Sequence, residues 1–132
     1  MLKGRYMRIF TTRAFSRLEV ARELSDEDLI KAVAEMNDGL SDANLGGQVY
    51  KKRVALAGRG KSGGARTLVA FKRNDQAFFI YGFTKNQRSN IGAKERVALK
   101  RLASELLGYK EQHLMQALKH GALIEVKVHV DD

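Results

Sequence analysis

The chain has 132 residues, 44% of them hydrophobic, which allows one domain with one core and leaves no room for a second of ordinary size. It has no cysteine, which excludes disulfides and thiolate metal sites, and no proline, so turns fall to its 12 glycines together with Asn and Asp. A formal net charge of +9 calls for a polyanionic partner: nucleic acid, an anionic membrane surface or an acidic protein.

Residues 1–6 carry no pattern and read as an arm or an upstream start. The opening MLKGRYMRIF is basic but lacks the apolar stretch of a secretory signal. No apolar run approaches the roughly 20 residues that span a bilayer, so a cytoplasmic protein without a membrane partner is expected. Residues 7–11 alternate and predict a first strand. Phe15, Leu18 and Ala21 predict a helix over 13–24. Ser25, with Asp28 three residues on and acids in the first turn, predicts a capped helix carrying Leu29, Ile30, Val33 and Met36 inward, with Gly39 as its stop.

The period then changes. Gly46 and Gly47 open a strand over 48–57, the run GRGKSGG (58–64) reads as a loop, and a second strand covers 65–73. Asn74 and Asp75 turn the chain into a third strand, 77–84, whose sequence AFFIYGFT is apolar on both faces and belongs in the middle of a sheet. Short connections between these three predict an antiparallel meander. Leu99, Leu102, Ala103 and Leu106 predict a helix ending at Gly108. A further helix covers 111–119, and 122–130 reads as an edge strand. The fold class is α+β in a single domain: two N-terminal helices packed on a small antiparallel sheet, with C-terminal helices. Strands and helices are expected to form one layer each, and 109–132 reads as a C-terminal extension.

The charge is not evenly spread. Residues 51–101 hold 14 Lys and Arg against 2 Asp and Glu, a net of +12, while the segments on either side are slightly acidic. Ordinary solvated surfaces mix signs, whereas phosphate-binding surfaces do not, so this stretch is expected to bind an anion. Lys94, Arg96, Lys100 and Arg101 approach the pattern of a membrane-surface helix. The remaining basic residues fall on strands and a loop, which suits a nucleic-acid groove better.

Other chemistries lack their residues. Gly58 to Gly63 match G-x-G-x-x-G, but a strand rather than a helix follows, and a P-loop would need glycine where Ala55 stands. What survives is a Gly-rich loop able to cradle phosphate. His113 and His120 are seven apart, too far for zinc ligands on one helix, and His129 lies near the end; neither a metal nor a cofactor is expected. No histidine occurs before residue 113, so the basic stretch lacks the usual imidazole acid or base. Phe78, Phe79, Tyr81 and Phe83 look like core rather than a base-stacking platform.

The run KSGGARTLVAFKRNDQAFFIYGFTKNQRSNIGAKE, residues 61–95, resembles the RelE/HigB group of type II toxin–antitoxin toxins, and the predicted element order is similar to theirs over about 7–108. The resemblance implies a RelE-like fold and a ribosome-dependent mRNA endoribonuclease, held inactive by a cognate antitoxin. It implies cleavage by attack of a ribose 2′-OH on the adjacent phosphate, using basic side chains and no metal. By motif, Arg66 corresponds to the arginine that contacts the scissile phosphate. Lys61 and Arg59 correspond to the basic residues before it, and Lys85 and Arg88 to the basic turn after the central strand. Some relatives carry a tyrosine beyond that turn. Asn86 and Gly92 occupy that neighbourhood here, which makes Tyr81 and Tyr50 the candidate substitutes. The candidate catalytic set is therefore Arg66, Lys61, Lys85 and Tyr81, with Lys51, Lys52, Arg53, Arg59 and Arg88 as candidate RNA contacts. A DNA-gyrase inhibitor like the ParE branch of the same fold, and a non-catalytic RNA-binding domain, are the alternatives.

Overall fold

The computed structural model describes residues 7–57 and 60–127. In chain order these form β1 (Arg8–Thr12), α1 (Arg13–Ser16), a 3₁₀ turn (Glu19–Glu23), α2 (Asp26–Asn37), β2 (Ala43–Gly46), β3 (Val49–Leu56), β4 (Gly60–Lys72), β5 (Gln76–Thr84), α3 (Ala93–Leu107), α4 (Glu111–Lys119) and β6 (Leu123–Val126). The strands make one sheet in the order β2-β3-β4-β5-β1-β6. Neighbours run antiparallel except β1 and β5, which pair parallel from Arg8 opposite Gln76 to Thr11 opposite Phe79.

The expected meander is β3–β4–β5, and β5 lies inside the sheet as its sequence requires. Phe78, Ile80 and Phe83 face one side, Ala77 and Phe79 the other. The helices do not form a single layer. Phe15 of α1 and Leu29, Ala32, Val33 and Met36 of α2 cover one face; Ala103 and Leu106 of α3 and Leu114 of α4 cover the opposite one. A sheet whose central strands are apolar on both sides needs a cover on both sides. On the far edge Arg8 donates to Glu125 and Glu111 at 2.9 Å each, fastening β6 and α4 to β1.

Two N-terminal helices are not what forms. Thr12 caps α1 by accepting the Phe15 N–H at 3.1 Å, but after four residues the chain straightens at Leu18 (φ −70°, ψ 148°). That break turns Val20 inward against Leu56 and Ala65, which a continuous helical stripe would not allow. α2 forms as read, with the reciprocal Ser25–Asp28 capping box at 2.9 and 3.1 Å. β2 was not expected. It joins β3 through a turn in which Gly46, Gly47 and Gln48 all have positive φ.

The Gly-rich loop is shorter than expected, because β4 already begins at Gly60. At Gly64 an added Cβ would collide with the carbonyl oxygen of Val54, where the β3–β4 register shifts. This glycine permits close backbone approach inside a strand.

Candidate nucleic-acid interface

Alternation along β3 decides which of its three consecutive cations can meet a ligand. Val49 belongs to the core under α3 and α4, whereas Tyr50 and Val54 pack toward α2. With period two, Lys51 and Arg53 share the α3 side and Lys52 points the other way. Lys52 is 3% exposed, bonds Glu35 of α2 at 2.8 Å and donates to the Leu40 carbonyl at 2.9 Å. Its charge is spent inside the protein, so the expectation that Lys52 contacts RNA is corrected.

On the α3 side, Arg53 lies directly opposite Arg66 of β4, and Arg66 in turn lies opposite Phe83 of β5. Side chains so paired stand about 5 Å apart at Cβ, and like charges there destabilise a sheet. Arg53 is partly compensated by Asp42, which stands 3.9 Å from its guanidinium and accepts its backbone N–H at 2.6 Å. The Arg66 side chain has no hydrogen-bond or ion-pair partner among the described residues and is half-buried. Lys51 donates to Asn90 Oδ1 at 3.2 Å. Lys85, first residue of the turn after β5, is exposed and unpaired among the described residues.

Tyr81 sits half-buried on the same face, its ring 6.0 Å from that of Phe83. Arg88 lies over both rings, 5.8 and 5.7 Å from their centroids, and donates to the Tyr81 hydroxyl at 3.0 Å. It forms a two-pronged pair with Glu95 of α3 at 2.6 and 2.8 Å and donates from Nε to the Asn90 carbonyl at 2.8 Å. Those bonds, Glu95's first and Tyr81's next, raise the Arg88 pKa further above its ordinary value. The Arg88 bonds and then the Gly92 N–H hold the Glu95 carboxyl down from an ordinary 4.5 to about 2. Arg88 is thus at the face, but committed to protein groups.

The structure therefore brings Lys51, Arg53, Arg66, Tyr81 and Arg88 to one face, with Lys85 at the turn that borders it. Arg59 and the side chain of Lys61 lie outside the described residues. Tyr50 packs on the opposite side, edge-on to Phe71 at 5.6 Å. His113 and His120 are exposed, on α4 and at its C-terminal cap, and His129 lies outside the described residues. Among the described residues, no group of three or more His, Asp or Glu side chains could hold a metal ion. Sequence reasoning missed Glu95 and Asn90. Their signal was present: Glu95 is one of only two acids between 51 and 101, three residues after the glycine that opens α3.

The family model described as the RelE toxin of the RelE / RelB toxin–antitoxin system matches residues 7–126, which include every strand and helix described above. The chain belongs to the RelE toxin family. As a RelE-family toxin it is a member of a toxin–antitoxin pair, and the family implies an antitoxin partner. None of the helices among its described residues is long and apolar enough to cross a membrane.

Proposed function

We propose that this RelE-family toxin is a ribosome-dependent mRNA endoribonuclease, neutralised by its antitoxin, whose active face is the α3 side of β3, β4 and β5. The observation that carries the reading is the Arg53–Arg66 pair, two guanidiniums opposed across the ladder with Arg66 left without a partner among the described residues. An arrangement that costs the free protein stability is favourable once a phosphate lies between the cations.

In this reading the mRNA backbone crosses the face and a ribose 2′-oxygen attacks the adjacent phosphorus. The new O–P bond forms as the bond to the 5′-oxygen breaks, leaving a 2′,3′-cyclic phosphate and a 5′-hydroxyl. Arg66 neutralises the charge that builds on the non-bridging oxygens, and Lys51, Arg53 and Lys85 hold the strand. Tyr81, half-buried beside Arg66's strand, is the hydroxyl placed to exchange a proton with the reacting oxygens. The ribosome supplies the remaining orientation of the mRNA.

The test is mRNA cleavage in a purified translation system. Arg66→Ala should lower the rate by roughly 10²–10³ without unfolding the protein, as expected for loss of one transition-state donor. Cleavage by Arg66→Ala at the wild-type rate would sink the assignment. Wild-type protein that leaves mRNA intact on ribosomes but inhibits DNA gyrase would replace the nuclease by a gyrase inhibitor. Binding to ribosomes with neither effect would leave a non-catalytic RNA-binding domain.

A further inference from the structure

We infer that Glu95 is a positioning residue that converts Arg88 from a phosphate ligand into the support for the Tyr81 hydroxyl. The inference rests on the nuclease reading of this face and concerns what Arg88 is for.

The geometry is over-determined. Arg88 uses four of its five guanidinium N–H groups on protein acceptors: two on Glu95, one on Tyr81 and one on the Asn90 carbonyl. Its flat cation also rests over the rings of Tyr81 and Phe83. Glu95 is itself fixed, because its Oε1 accepts the Gly92 N–H at 2.8 Å at the start of α3. Asn90 is fixed as well: its side-chain oxygen accepts from Lys51 and from the Ile91 N–H at 2.9 Å. Loop 85–92 is thereby pinned at three points to β3, β5 and α3. A side chain meant to reach into solvent for a phosphate would not be held by a two-pronged carboxylate, the strongest competitor for the same fork.

Tyr81 gains from the arrangement. Because Arg88 donates to its oxygen, the phenolic hydrogen is left to be donated to another acceptor, and the ring is held beside Phe83 under a guanidinium that lies over both rings. A hydroxyl that must meet a reacting oxygen within a few tenths of an ångström needs such a hold, since misplacement by about 1 Å can cost about 10²-fold in rate.

Two variants separate this from a direct RNA contact. Glu95→Gln keeps the size of the side chain and an acceptor for the Gly92 N–H but removes the charge; Arg88→Lys keeps the cation but loses the fork. On mRNA-programmed ribosomes each should slow single-turnover cleavage by about 10–100-fold. The apparent affinity and its salt slope should not change, and the double variant should be no slower than the slower single one. If Arg88 is instead a phosphate ligand restrained by Glu95, Glu95→Gln will bind more tightly with a salt slope steeper by about 0.7, and Arg88→Lys will stay near wild type. That pattern overturns the inference. A readout independent of cleavage keeps the two proposals apart. In wild-type protein the ¹⁵N-labelled Arg88 Nη–H groups, which donate to Glu95 and Tyr81, should exchange far more slowly than those of exposed Arg101, and Glu95→Gln should abolish the protection. Equal exchange of Arg88 and Arg101 in wild type would overturn the clasp whether or not the protein cuts mRNA.

Discussion

Lys52 illustrates how much one residue's direction matters. It sits between Lys51 and Arg53 in sequence, and composition treats the three alike, yet the pleat sends it to the opposite face against Glu35. Glu35→Ala should cost about 2–4 kcal/mol in urea unfolding, because it leaves the buried ammonium with the Leu40 carbonyl as its remaining described acceptor. Lys52→Met should leave the salt slope of ribosome binding unchanged, while Arg53→Ala lowers it by about 0.7; a lower slope for Lys52→Met would put that lysine back at the RNA. The alternation was legible beforehand, since Tyr50 and Val54 flank Lys52 on its own side. Glu95 makes a pH-dependent contribution. Its folded pKa of about 2 lies below the ordinary 4.5, so its stabilisation is present in full above the unfolded value. It is lost as pH falls from about 4.5 toward 2. Acid unfolding of Glu95→Gln should be flatter across that window, and identical curves for variant and wild type would show that the carboxylate adds no stability.

The elements that could be read in advance are those whose signals are local. The Ser25 cap, the apolar stripe of α2 and the span of α4 each depend on residues within a turn or two. The break at Leu18 depends on Val20 finding Leu56 and Ala65, more than thirty residues away, and periodicity carries no trace of it. β2 escaped because four residues, two of them Asn44 and Gly46, are too few to show alternation. Gly64 looked like loop flexibility, and only the Val54 carbonyl explains why it is glycine. Gly64→Ala should therefore destabilise by about 1–3 kcal/mol or force a register shift between β3 and β4, visible as altered amide shifts in both strands. A neutral Gly64→Ala would mean that the strands can separate at no cost. β5, hydrogen-bonded on both edges and covered on both faces, should hold the slowest-exchanging amides, Phe78 to Phe83 among them.

At the scale of the molecule, the basic excess of 51–101 folds so that part of it is neutralised internally and part is presented. Lys52 and Arg88 are paired with Glu35 and Glu95, and Lys72 stands 3.6 Å from Asp75. Lys51, Arg53, Arg66 and Lys85 remain at or beside one face. Counting charge along the sequence located the segment but could not sort these groups, because the sorting depends on the ladder register and on a sheet covered by helices on both sides. The parallel insertion of β1 beside β5 was equally hidden, since residues 8–11 and 76–79 meet only in the fold. In the proposed function, side chains on this face cleave RNA through its own 2′-oxygen. The most direct measurement is the chemistry of the ends left when the toxin cuts mRNA on ribosomes, read by end-group analysis. Wild-type protein should leave a 2′,3′-cyclic phosphate and a 5′-hydroxyl, and both should nearly disappear with Arg66→Ala. A 3′-hydroxyl with a 5′-phosphate, or undiminished cleavage by Arg66→Ala, would contradict the proposed function.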